Sequence, residues 1–141
     1  MLSTDRKGAI AESAIVLAAI KSGIDVYRPL VEGARADLVF GLGERLIRVQ
    51  CKWAPRQRDS VVIRCYSSRR TAQGLRRWKY AANEVDVIAA YCAELNRVFV
   101  VPSETFDGRS QVNLRVAPTR NNQSQGVNWA DDFSFESLQS I

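Results

Sequence analysis

Alternation from Arg45 to Trp53 constrains the fold of this chain more than any other stretch. Ile47, Val49, Cys51 and Trp53 fall on one side of an extended strand, and Arg48, Gln50 and Lys52 on the other, as in a half-buried strand. Gly41-Leu-Gly-Glu ahead of it reads as a turn, and Asp37-Leu-Val-Phe ahead of the turn reads as a second strand, so the pair predicts a hairpin. That hairpin can gather three groups. Gln50 and Lys52 emerge on one face, and Asp37 at the head of the neighbouring strand can join them. A carboxylate, an amide oxygen and an ammonium would then meet where a divalent metal could sit beside a phosphodiester.

What the chain lacks narrows its chemistry. Its 141 residues contain no histidine, which removes Ser-His-Asp, Cys-His and histidine general-base mechanisms. Cys51, Cys65 and Cys92 are three, lie in apolar stretches and show no CxxC spacing, so they read as small buried thiols of a reducing compartment rather than zinc ligands. Carboxylates, lysine and metal remain. No apolar run approaches the roughly 18 residues of a membrane span, and the start reads as a folded element rather than an export signal. The expectation is one domain over residues 1–141, cytoplasmic, with no membrane partner; 46% hydrophobic and 25% charged residues are ordinary for such a fold.

Charge is concentrated. Between Arg45 and Tyr80, eleven Lys or Arg residues stand against the single acid Asp59, a local +10, so the remainder of a chain of net charge +5 sums to −5. A positive band following the candidate site suits a polyanion, because each cation set against a phosphate releases counterions. Trp53, Tyr66, Trp78 and Tyr80 are interleaved with it and could pack on sugars or bases. The blander reading is a solvated basic face, against which the lack of balancing acids argues.

The remaining elements follow from spacing and punctuation. A helix is expected from about Asp5 to Ser22, with Ser3 or Thr4 as N-cap, Gly23 as the stop, and Ile10, Ala14, Leu17 and Ala18 at helical intervals. Apolar residues lie on most of its sides, so it should be largely buried. Glu12 among them needs either a partner or a wet stripe of the helix. Short strands are expected over Ile24–Arg28, Val61–Tyr66, Val85–Tyr91, Arg97–Val101 and, at an edge, Val112–Val116. Ser67–Ala82, rich in arginine, reads as a loop or frayed helix and as the direct contact to nucleic acid. Asn121–Gly126 reads as a polar loop and Asn128–Leu138 as a terminal helix.

In this order the chain resembles a PD-(D/E)XK nuclease, and among those the small endonucleases encoded within group I introns. The resemblance rests on Lys7-Gly8 with Glu12, Gly23-Ile-Asp-Val with Pro29, Asp37-Leu-Val, Val49-Gln-Cys-Lys52, Tyr80, Val85-Asp-Val-Ile-Ala-Ala-Tyr91, Val98-Phe-Val-Val-Pro102 and Gly126-Val-Asn-Trp-Ala130. It covers nearly the whole chain. Ala36 stands where the superfamily name has proline, and Gln50 stands where most members carry Glu or Asp. Glutamine there is similar to the intron-encoded subgroup, with a metal site one negative charge poorer.

The resemblance implies an α/β, restriction-endonuclease-like core, a mixed central sheet flanked by helices. It implies a metal-dependent endonuclease acting on double-stranded DNA, with Mg²⁺ as cofactor and Mn²⁺ able to substitute. Asp37, Gln50 and the Cys51 carbonyl would ligate the metal, Lys52 would stand beside the attacking water, and Glu12 would complete the site, as a ligand or by holding water. Arg69, Arg70, Arg76, Arg77 and Lys79 are assigned to DNA contact as a group. One site per chain implies a homodimer or homotetramer for cutting both strands, with Trp129 and Phe133–Phe135 as the candidate contact. Two alternatives stay open: a structure-specific nuclease such as a Holliday-junction resolvase or repair nuclease, and a catalytically weak DNA-binding module.

Overall fold

The computed structural model describes the chain apart from residues 120, 122–124 and 141, and apart from the side chains of residues 69, 70, 139 and 140. In chain order come helix α1 (Thr4–Lys21) and strands β1 (Asp25–Tyr27), β2 (Leu38–Leu42), β3 (Arg45–Trp53), β4 (Arg56–Gln57), β5 (Ser60–Arg64), β6 (Tyr66–Thr71), β7 (Gly74–Lys79), β8 (Val87–Cys92) and β9 (Arg97–Pro102). A short helix α2 (Ser103–Phe106) and strand β10 (Gln111–Arg115) follow, then two 3₁₀ segments, Ala130–Asp132 and Phe135–Ser140. Two short 3₁₀ turns thus stand where a terminal α-helix was expected. The start of the polar loop at Asn121–Gly126 is described and its centre lies outside the described residues.

Helix α1 starts where its chemistry says. The Ser3 hydroxyl accepts from the Arg6 N–H at 3.2 Å, Asp5 sits in the first turn and Lys21 in the last. Gly23, at φ +78°, lets the chain leave the helix through a conformation that side chains disfavour. The expectation of a largely buried helix is wrong, however. Only Ala11, Ile15 and Ala19 are buried, while Leu17 is 53% and Ile20 58% exposed. A helix resting on one sheet covers a single stripe, here at i, i+4 and i+8, and the further apolar residues find no second layer.

The sheet beneath it is mixed, in the order β1-β2-β3-β8-β9. The hairpin β2-β3 is antiparallel and turns at Gly43-Glu44, β3 and β8 run parallel with Gln50 opposite Ile88, and β8-β9 is antiparallel. Ile15 and Ala19 close one face over Leu38, Phe40, Ile47, Val49, Val87, Ala89 and Val100. On the other face, Ile88, Ala90, Phe99 and Val101 pack against Val61, Ile63, Val112 and Leu114 of a second, three-stranded sheet ordered β10-β5-β4. Strand β8 is buried on both sides, which is why its sequence is a continuous apolar run.

The segment from Ser67 to Ala82 is neither loop nor frayed helix. Within it β6 and β7 form an antiparallel ribbon in register Tyr66↔Lys79 through Thr71↔Gly74. The Thr71 hydroxyl donates to the Gly74 carbonyl at 2.8 Å and accepts from the Gln73 N–H at 3.3 Å, and Gly74 at φ +105° completes the turn. Every described residue of β7 is exposed. With no apolar side to bury, the ribbon lacks the alternation by which a strand is recognised.

Residues chosen for a subunit contact serve the protomer itself. Phe135 stacks against Phe40 at a centroid distance of 6.1 Å, Phe133 packs on the second core, and the Trp129 backbone bridges to Arg115. No helix is long and apolar enough to cross a membrane among the described residues.

Candidate active site

Asp37 lies one residue before β2 and is tied to β3 by its own N–H, which donates to the Val49 carbonyl at 2.9 Å. Its side chain then reaches over the end of the ladder. Oδ2 accepts from the Cys51 N–H at 2.9 Å and from Gln50 Nε2 at 2.8 Å. Both contacts fall on one oxygen, which leaves Oδ1 for a ligand. With Nε2 turned to Asp37, the Gln50 Oε1 is likewise left over. N–H and C=O of one residue point to the same edge of a strand, so the Cys51 carbonyl also faces the ground that β2 has vacated.

Lys52 extends from the same face of β3. Its Nζ donates to the Tyr66 carbonyl at 2.8 Å and lies 5.0 Å from the centre of the Tyr80 ring. A cleft of about 230 Å³ opens here, lined by Gly33, Ala34, Arg35, Asp37, Gln50, Ser67 and Tyr80. The Ser67 hydroxyl oxygen is buried and, among the described residues, makes no hydrogen bond.

Burial sets the electrostatics of this group. Desolvation raises the Asp37 carboxyl above its ordinary value, against the pull of the Cys51 N–H and the Lys52 charge. Desolvation also lowers the Lys52 ammonium, against the Asp37 charge that supports it. The Cys51 thiol is pushed up, first by burial and then by the charges of Asp37 and Glu12, so it is inert as a nucleophile.

Glu12 stands apart from Asp37, Gln50 and Lys52. Its carboxylate pairs with Arg28 at 3.3 Å, and Arg28 lines an adjoining cleft of about 230 Å³ that shares Gly33, Ala34 and Asp37 with the first. Glu12 and Asp37 both act on the Cys51 thiol, which places Glu12 near the site without a contact to Asp37 among the hydrogen bonds and ion pairs of the described residues. Arg76, Arg77 and Lys79 are exposed on the ribbon, and the side chains of Arg69 and Arg70 lie outside the described residues. Sequence reasoning missed Ser67, Arg28 and Arg35. Arg35 pairs with Glu84 across the chain. Nothing in the local pattern of these three marks them, since their role comes from where β6 and the loop after β1 cross the end of β3.

The residue pattern of the PD-(D/E)XK endonuclease family matches residues 2–136. The chain belongs to this family. It is a nuclease of the PD-(D/E)XK type, and the family implies a DNA substrate. The solved structure of a bacterial homing endonuclease, I-Ssp6803I, is similar to it, with a TM-score of 0.78 and 26% identity over 99% of this chain and 93% of that one. No curated protein matches the chain.

PD-(D/E)XK nucleases generally use divalent metal ions. The donor set here fits one. Asp37, Gln50 and the Cys51 backbone are neighbours at one end of β3 and carry hard oxygens, and Mg²⁺ is the small hard cation that keeps several waters beside so few protein ligands. No group of three or more acidic or thiol ligands occurs among the described residues, so any metal would depend on the amide and backbone oxygens.

Proposed function

We propose that this nuclease hydrolyses phosphodiester bonds in double-stranded DNA at a specific site, with Mg²⁺ as its cofactor and Mn²⁺ able to substitute, as intron homing endonucleases do. One observation carries the reading: Asp37 and Gln50 line a cleft at the root of a solvent-exposed basic ribbon, with the Cys51 N–H on the Asp37 carboxylate and Lys52 on the Tyr66 carbonyl of that ribbon. Asp37, Gln50 and the Cys51 carbonyl would hold the metal, which supplies Lewis-acid activation of phosphate and water. The Cys51 N–H fixes the Asp37 carboxylate so that its free oxygen is presented in one orientation. Lys52, held by the Tyr66 carbonyl and the Tyr80 ring, orients the attacking water or stabilises charge on the phosphorane. Glu12 holds water at the edge of the site, once released from Arg28 or through it.

A protomer carries one such site, so breakage of both strands uses two protomers in a dimer or tetramer. The test is incubation with Mg²⁺ and two substrates, a plasmid library and a four-way junction. Discrete double-strand breaks that vanish in Asp37→Ala and Lys52→Ala support the reading. Junction cleavage alone replaces it with a structure-specific nuclease, and binding without cleavage with a DNA-binding module.

A further inference from the structure

The two faces of the β6-β7 ribbon are not equivalent. Side chains alternate across it, so Ser67 and Trp78 share one face with Arg76, while Tyr66, Ser68, Leu75, Arg77 and Lys79 share the other. The root of the first face is the wall of the catalytic cleft. Ser67 lines that cleft, and so does Tyr80, whose N–H donates to the Cys65 carbonyl at 3.1 Å and which therefore continues the Trp78–Arg76 side. The second face is solvent-exposed along β7 and tied to the protein at its root. Lys79 Nζ donates to the Gly108 carbonyl at 3.2 Å in the loop after α2, and the Arg77 guanidinium lies 4.7 Å from the centre of the Tyr66 ring.

We propose that the Tyr80–Trp78–Arg76 face of the ribbon enters the DNA groove, with Arg76 reading a base and Arg77 and Lys79 serving only the backbone. The inference rests on the nuclease reading above. A phosphate at Asp37 brings the duplex past the face that opens into that cleft and away from the face anchored on Gly108. A two-stranded ribbon is the width a major groove admits, and the Arg76 fork, which makes no hydrogen bond or ion pair among the described residues, matches the O6 and N7 acceptors of guanine. Arg76 lies four residues beyond Tyr80, or about 13 Å at strand rise, so the base it reads lies within about four base pairs of the cut. Trp78, 38% exposed and opposite Ser67 on the same face, packs on the sugar or base between them.

Hydroxyl-radical footprinting with mass spectrometry separates the faces, using the full chain in EDTA with a random-sequence duplex of about three helical turns. Trp78 and Leu75 are the reporters, one on each face and both exposed. Several-fold protection of Trp78, with Leu75 labelled as in the free protein, supports the assignment. Protection of Leu75, or of both alike, overturns it. Selection from a randomised duplex library then tests base reading. Arg76→Ala should lose a guanine from the wild-type consensus, while Arg77→Ala keeps the consensus and weakens all sequences alike, with a salt slope smaller by about one. A wild-type selection without consensus, or an Arg77→Ala selection that loses the base, overturns the role of Arg76. Failure to bind any duplex removes the nuclease reading itself, which distinguishes the two failures.

Discussion

The Gln50 amide donates to Asp37 Oδ2 at 2.8 Å, so the residue that replaces a carboxylate at this site holds the remaining one in place. Gln50→Glu would set two carboxylates side by side in a part-buried pocket. Without metal, the lost hydrogen bond and the like-charge contact should lower stability at neutral pH by about 1–3 kcal/mol. Divalent metal relieves that repulsion, so the variant should gain more in melting temperature on adding Mg²⁺ than the wild type does. Thermal melts with and without Mg²⁺ read both effects. Equal metal-induced shifts in the two proteins would remove Gln50 from the metal site.

Two aspartates should give stability opposite slopes in acid. The Asp37 pKa is raised by burial, so across the window above its unfolded value the folded chain binds more protons than the unfolded chain, and stability falls as pH rises through the folded pKa. The Asp86 pKa is lowered, first by its hydrogen bonds with the Arg48 guanidinium, at 3.1 and 3.0 Å, then by the Arg48 N–H at 2.8 Å. Its contribution is present above the ordinary carboxylate value and is lost as pH falls through its folded pKa. The pair is a third or more exposed, which limits it to about 0.5–1 kcal/mol. Urea titrations should show Asp37→Asn steepening the rise of stability with pH from the ordinary carboxylate value upward, and Asp86→Asn flattening it from that value downward.

Lys52 is costly to bury and has no carboxylate within ion-pair distance among the described residues. Lys52→Met keeps the apolar stem and discards the charge, leaving the Tyr66 carbonyl without its donor. Stability should change by no more than about 1–2 kcal/mol, whereas cleavage should fall at least about a hundredfold on the proposed role of Lys52 beside the reacting phosphate. Binding of duplex in EDTA should stay within a few-fold of wild type. A parallel loss of binding and cleavage would make Lys52 one more phosphate anchor.

How far the sequence carries depends on which residues face a core. Arg45–Trp53 could be placed with its faces because Ile47 and Val49 are buried while Gln50 and Lys52 are not, and β8 could be placed because both its faces are apolar. The meeting of Asp37 with Gln50 and the Cys51 backbone at the end of β3 was legible for the same reason. The ribbon was not, since alternation between two wet faces leaves no hydropathy signal, and its turn is encoded by Thr71 and Gly74 alone. Two strands of the second sheet could be placed, over Val61–Tyr66 and Val112–Val116, whereas β4 could not, since two residues show no alternation. Ser67 carries no local mark at all; only the crossing of β6 over Lys52 brings it to the cleft.

Helix α1 offers a test of which apolar residues do the holding. Ile15 is buried over Phe40 and Val49, and its truncation to alanine leaves a cavity between helix and sheet that neither neighbour can close without moving backbone. Ile15→Ala should therefore cost about 2–5 kcal/mol. Leu17 is two residues away and just as apolar, but most of its side chain faces solvent in the protomer. Leu17→Ala, which also gains helix propensity, should shift stability by less than about 0.5 kcal/mol. Chemical denaturation at low protein concentration measures both. If Leu17→Ala instead costs as much as Ile15→Ala, with a midpoint that rises with protein concentration in the wild type only, the outer stripe of α1 is covered by another copy of the chain.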